Sequence, residues 1–420
     1  MKKHKKIFKI FIFILVASLV IFYFIIRKDK PVDSHTPGII DPGTSDTRPE
    51  DKPNKKDSYL NEIKYDVALD EEIIDAIVKY MDTYYQIMYQ LKEEDMTSLF
   101  SNNNQALINQ TAISLLINVR SLKPNDLALS DAKYDLNIKK VTKEADIIKV
   151  VLTEDSYIKF KFMDEVSKIY NIENEFSFKK INGEYKIVAY DKVQDFFVMI
   201  TDVYEDNGQE ELNNIKNNYL KLVKKQVADE KKAYNEYLDN KGLTKKECDH
   251  IYNRTNALTY ALKWVNKRNS NWKEYESNCQ NYASQVVYNG GIPNDYSGDA
   301  NASLQWKNYD DSLNNIEEAK GFTETWTYVP YFYNYVKNNT GYGMCGKVDV
   351  NRYYGEAGDI VHVGLDGPNR HALVVIGNIK KNNKVVDIIV NSNTVDLENY
   401  PLSAYVYPYQ SLIKIYGWND

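Results

Sequence analysis

Cys279 is the residue from which covalent chemistry can be read in this 420-residue chain. It heads the stretch Ser277-Asn278-Cys279-Gln280-Asn281-Tyr282-Ala283-Ser284-Gln285-Val286-Val287, which predicts a short helix. Ser277 or Asn278 offers a side-chain oxygen to the first free N–H groups. Ala283, Val286 and Val287 share a face with Cys279, and Gly290-Gly291 with Pro293 beyond stops the helix. A thiol in the first helical turn feels the positive end of the dipole, which favours thiolate, the attacking form. The competing reading is a small buried cysteine that serves packing alone.

A nucleophilic thiol needs a base. Gly367-Pro368-Asn369-Arg370 reads as a turn, and His371 as the first residue of a buried strand, Ala372-Leu373-Val374-Val375-Ile376. Lys380 to Asn383 turns the chain back. Val385 to Val390 returns as the adjacent strand and runs into Asn391-Ser392-Asn393-Thr394. The chain order is therefore cysteine on a helix start, histidine on a strand start, then an amide residue at the end of the neighbouring strand. An oxygen on one ring nitrogen fixes the tautomer that turns the other nitrogen to sulfur. Asn391 and Asn393 lie on the same side of an extended strand and compete for that role.

The remaining candidates read more plainly. His362, in the strand Gly358-Asp359-Ile360-Val361-His362-Val363, is a sheet residue facing groove or solvent. Trp306 and Trp326 read as core or as the wall of a substrate groove, with Asn278 beside them. Cys248 and Cys345 could pair in an oxidising medium and leave Cys279 free, with Cys345 in a Gly-rich loop. Neither C-x-x-C nor H-E-x-x-H occurs, so no metal site and no cofactor are expected.

The elements that must position these residues divide the chain. Five lysines precede an unbroken apolar run from Ile10 to Ile26, with Arg27, Lys28 and Lys30 after it. That run predicts an uncleaved signal anchor over residues 1–30. The N-terminus would then be cytoplasmic, and the rest would lie outside a bacterial cell membrane crossed once. Residues 31–57 hold five prolines among polar residues and read as a flexible tether. Residues 31–420 carry 45 basic and 58 acidic side chains, a net of −13, which argues against nucleic acid or anionic wall polymers as principal ligands.

From 58 to 203 two helical patterns come first, on Ile73, Ile77, Met81, Tyr84, Met88 and Leu91, then on Leu107, Ala112, Leu115, Leu116 and Val119. Period-two segments follow at Tyr134 to Ile138, Ile147 to Leu152, Tyr157 to Phe162, Phe176 to Phe178 and Tyr185 to Tyr190, with Asn182-Gly183 as a hairpin turn. Residues 204–250 predict a helical connector, and 251–420 the last domain. The fold class is α+β throughout.

Several of these motifs also carry a family resemblance. They are Tyr252-Asn253-Arg254, Tyr260-Ala261-Leu262-Lys263-Trp264, Lys267-Arg268-Asn269, the cysteine stretch with Gly290-Gly291, and Gly358-Asp359-Ile360. His371 to Val375, Asn393-Thr394-Val395-Asp396 and Pro401-Leu402 complete the set. Together, residues 252 to about 405 resemble the putative amidase domain family of the papain-like superfamily, related to the CHAP and NlpC/P60 cell-wall hydrolases. The resemblance implies a papain-like domain of helices plus antiparallel sheet, with Cys279 as nucleophile and His371 as base. Family members commonly carry histidine where Asn393 stands. An asparagine carbonyl can serve there, and the motif alignment favours Asn393 over Asn391. Gln280 stands where threonine or a similar residue is usual.

The implied activity is hydrolysis of an amide or peptide bond, with cell-wall peptidoglycan or peptide as substrate. Acyl transfer or transpeptidation by the same pair and an inactive envelope scaffold are the alternatives. The 58–203 layout is similar to the cystatin-like, NTF2-like domains, which suggests a spacer or a module that binds a protein partner.

Overall fold

The computed structural model describes residues 58–420 except 243–244, 298–303 and 309–321. β1 (Leu60–Tyr65) precedes α1 (Glu71–Gln90), whose first turn carries Glu71 and Glu72 against the positive helix end. Ile73, Ile77, Met81, Tyr84 and Met88 are all buried, as their spacing requires. α2 (Asn103–Ser121) is capped by Asn102, whose side chain accepts from the N–H groups of Asn104 and Gln105. An antiparallel meander follows: β2 (Leu129–Glu144), β3 (Ile147–Phe160), β4 (Ser167–Ile181) and β5 (Glu184–Lys192).

The segments expected at 147–152 and 157–162 are one strand, because alternate burial runs through Thr153 to Ser156 without interruption. Asn182 (φ 52°) and Gly183 (φ 88°) form the expected turn between β4 and β5, both left-handed as a tight hairpin requires. α4 (Gln209–Leu238) is the helix expected in the 204–250 connector, and α3 (Asp195–Asn207) precedes it, with Gly208 at φ 75° breaking the axis between them. At about 1.5 Å per residue, α4 is roughly 45 Å long.

The second half holds β6 (His250–Ile251), α5 (Arg254–Trp264), α6 (Cys279–Asn289), α7 (Glu324–Thr327) and α8 (Val329–Asn338). Then come β7 (Gly343–Val350), β8 (Ile360–Gly364), β9 (His371–Lys381), β10 (Lys384–Ser392), β11 (Asp396–Pro401) and β12 (Tyr409–Asn419). Cys345, expected in a loop, sits in β7 and is disulfide-bonded to Cys248, with Cα atoms 6.1 Å apart.

Among the described residues the strands form one mixed 12-stranded sheet, ordered β1-β2-β3-β4-β11-β10-β9-β8-β12-β6, with β5 paired to β4 and β7 to β12. The bridge between halves is β4 against β11, where Tyr170, Ile169 and Lys168 face Asp396, Leu397 and Glu398. One apolar cluster joins the first unit to Val361, Val363, Leu373, Val375, Ile388 and Val390. A second holds Cys279, Ala283, Val286, Ile360, Ala372, Val374 and Ile413. The strands β8 to β10 therefore have both faces buried, which is why they read as continuous apolar runs. Arg352 adds a polar tie, with guanidinium nitrogens 2.5 Å from Glu230 of α4 and 2.7 Å from Asp387 of β10.

The fold is α+β, but the expected single transmembrane helix is corrected. No helix among the described residues is long and apolar enough to cross a membrane. The apolar run 10–26 and the tether 31–57 lie outside the described residues. The expected single-pass placement in a membrane is thus corrected along with that helix.

Candidate active site

α6 begins at Cys279, and Cys279, Ala283, Val286 and Val287 turn toward the second cluster. The expected side-chain cap does not form. Asn278 has φ −95° and ψ −3°, and its side chain is used elsewhere. Its Oδ1 accepts from Asn281 Nδ2 (2.8 Å) and the Tyr275 N–H (3.2 Å), while its Nδ2 donates to Asn393 Oδ1 (2.7 Å). The Asn278 N–H donates to Thr394 Oγ1 at 2.8 Å. The start of the cysteine helix is thus stitched to residues 393–394.

The thiol is buried and single. Burial pushes its pKa up, and the backbone N–H groups of Ala372, Gln280 and Cys279 itself pull the other way. The helix start alone would favour thiolate, but desolvation outweighs it here. The resting group is a thiol.

His371 lies at the first position of β9 and faces the other side of the sheet. Its register partner is Val363, and Leu373 and Val375 follow on that face, in the cluster shared with the first unit. Its ring stacks on Tyr405, and its Nε2 is 2.6 Å from Ser392 Oγ. Burial lowers its pKa to about 4, so the ring is neutral at neutral pH. The contact expected of Asn393 is made by Ser392 instead. Asn393 accepts from Asn278 and donates to the carbonyls of Trp264 and Val265 at the end of α5. Asn391 accepts from the Asn399 N–H. No hydrogen bond joins Cys279 to His371; the sulfur instead meets the N–H of Ala372, the next residue along β9.

His362 faces neither groove nor solvent. It is fully buried on the thiol's side of β8, opposite Ala372, with Nε2 2.8 Å from Gln280 Oε1 and its ring against Phe332. Burial, then the nearby His371, lowers its pKa to about 3.

The expected groove residues are interior. Trp306 and Trp326 are 0% and 1% exposed and stack with centroids 4.6 Å apart, so they form a floor. Trp326 underlies a cavity of about 520 Å³ lined with Trp272, Lys273, Tyr275, Asn281 and Phe322. Asn281 lies about 200° around α6 from Cys279, so this cavity opens away from the thiol.

Two motifs of the sequence meet in a brace. Arg254 Nη1 lies 2.9 Å from Asp359 Oδ1, and its Nη2 donates to the Ile415 carbonyl at 2.7 Å. Among the described residues no three His, Cys, Asp or Glu side chains gather as a metal site. Ser392 was missed in the sequence. The signal that could have found it is period two, since Ser392 shares a face with Val390, which pairs with Val375 on the face of His371.

Residues 251–418 match a family model described as "Putative amidase domain". That match points to hydrolysis of amide bonds. The "Uncharacterized protein YhbB" of Bacillus subtilis (strain 168) is 27% identical over 147 residues, which are 34% of this chain and 42% of that relative. The matched region thus spans less than half of the relative's length. Among solved structures, a "Putative Scytalone Dehydratase" from Novosphingobium aromaticivorans is similar to 29% of this chain over 85% of its own length, at 10% identity and a TM-score of 0.22.

Proposed function

We propose that residues 251–420 form a thiol-dependent amide hydrolase of papain-like type, with Cys279 as nucleophile and His371 as base. The observation that carries this reading is the position of the sulfur. It lies at a helix start, against the N–H of the residue that follows His371, within the region matching the amidase family.

The resting thiol is neutral, so the base must act as the bond forms rather than by holding a ready ion pair. If Ser392 Oγ accepts from Nε2–H, the Nδ1 lone pair of His371 is free to take a proton. The proposal requires the His371 ring to leave Ser392 and swing over the end of β9 until that nitrogen reaches sulfur. As the proton leaves, sulfur bonds to the amide carbon and the carbonyl π pair moves to oxygen. The Cys279 backbone N–H stabilises that oxyanion. Collapse breaks the C–N bond, and imidazolium protonates the departing amine. Water, deprotonated by the same ring, then cleaves the thioester and restores the thiol.

The substrate we propose is a peptide amide, with peptidoglycan peptides the first to test. The test is release of fragments from purified cell-wall sacculi by the full chain and by Cys279→Ala, read by mass spectrometry. Loss of release by at least ~10³-fold in the variant is expected, whereas equal release by both proteins sinks the assignment. One observation favours a second reading, a binding module with a structural thiol: the sulfur and imidazole are not bonded. Absence of any cleavage by the unaltered chain would support that alternative.

A further inference from the structure

His362 has no part in the chemistry above, yet it is more deeply buried than His371. Ser284 Oγ donates to the Trp326 carbonyl at 2.8 Å, so its oxygen is left to accept. It accepts from Gln280 Nε2 at 3.2 Å and from Trp306 Nε1 at 3.3 Å. Gln280 therefore presents its carbonyl oxygen to His362, and the 2.8 Å contact is a bond donated by Nε2–H. This leaves Nδ1 as a lone pair, buried and without a partner. Full burial keeps that nitrogen unprotonated, because the charged ring would lose its hydration.

The recipient of that bond is the residue directly after the nucleophile. Gln280 lies in the first turn of α6, and its own N–H is one of the backbone groups that favour thiolate at Cys279. The opposite contact on the sulfur is Ala372, the register partner of His362. One imidazole thus ties together the helix turn and the strand that hold the sulfur between them.

We infer that His362 is a positioning residue for the thiol. As a neutral donor acting through Gln280, it keeps the N–H groups of α6 and β9 trained on sulfur. It rests on Cys279 being the reacting group, as proposed above, but it is read out on the thiol and needs no substrate. No charged side chain acts on the thiol, and His371, one residue before Ala372, is neutral above about pH 4. A shift in the thiol's titration therefore reports hydrogen bonding rather than charge.

The test uses the full chain without reductant, so that the Cys248–Cys345 disulfide leaves Cys279 as the single alkylation target. The measurement is the pH midpoint of iodoacetamide alkylation, with the melting temperature alongside. In His362→Leu the midpoint should rise by about one unit, a tenfold loss of thiolate at fixed pH. His362→Gln, whose Nε2 can donate in the same place, should return it to the original value. Should His362→Leu fail to fold, Gln280→Leu removes the same bond from the other side and should give the same rise. A fall in melting temperature with an unmoved midpoint overturns the inference, leaving a role in packing alone. A midpoint that moves as far in His362→Gln as in His362→Leu also overturns it, because the ring itself would then matter. If the shifts appear but sacculi are not cleaved by the unaltered chain, this inference stands and the hydrolase reading falls.

Discussion

The two faces of the strands β8 to β10 are equally buried and differently employed. One face carries Val361, Leu373, Val375 and Val390 into a core shared with the first unit, and it holds His371 on Ser392. The other carries Ile360, Ala372 and Val374 under α6, and it holds Cys279 with His362. The proposed base and nucleophile are thus divided between two cores by strand alternation, and the sulfur meets only the backbone of Ala372 beside His371. The lesson is that the shared core and the cysteine-helix core can each be perturbed separately, and that each reports on a different partner.

His371→Ala should give the largest effect. It should reduce cleavage by ~10²- to 10⁴-fold while the midpoint of Cys279 alkylation stays where it was, since the ring is not bonded to sulfur. A midpoint that rises would show that the two faces are already joined in solution. Next is Arg352→Met, which leaves the buried Glu230 and Asp387 with Lys123 as their remaining cation and should cost about 3–5 kcal/mol in urea unfolding. Paired truncations sharpen the contrast. Leu373→Ala on the shared face should cost ~2–5 kcal/mol without changing thiol reactivity. Val374→Ala on the thiol face should cost ~1–3 kcal/mol and speed alkylation by loosening the contact with α6.

Stability should also depend on pH. His362 and His371 have folded pKa values near 3 and 4, below the usual 6.5, so the unfolded chain takes up protons first. Stability is full above about pH 6.5 and should fall as pH drops toward 4, by up to ~1.4 kcal/mol per unit for each ring. Urea midpoints at about pH 7 and 5 measure this, and His362→Gln and His371→Gln should each remove one share of the slope.

Much of the cysteine helix was legible. Ala283, Val286 and Val287 share the buried face with Cys279, and the chain leaves the helix through Gly290 and the left-handed Gly291 (φ 93°). Asn182-Gly183 was equally plain, because a tight hairpin needs two left-handed residues. The face taken by His371 was not legible. An unbroken run from Ala372 to Ile376 lacks alternation, so only the register with Val363 decides the side. The thiol's state was not legible for a related reason. A helix dipole is local and visible in sequence, whereas the desolvation that overrides it comes from distant segments. The pairing of β4 with β11 joins residues more than two hundred positions apart, beyond any window of periodicity.

That pairing reaches the thiol in few steps. Tyr170 of β4 faces Asp396, whose Oδ1 accepts from the Thr394 N–H at 3.0 Å, and Thr394 in turn takes the N–H of Asn278, the neighbour of Cys279. A different module spliced in ahead of residues 251–418 would have to supply the same edge, in the same register. A substitution along Ser167–Tyr170 therefore acts on a strand edge that also seats the turn beside Cys279.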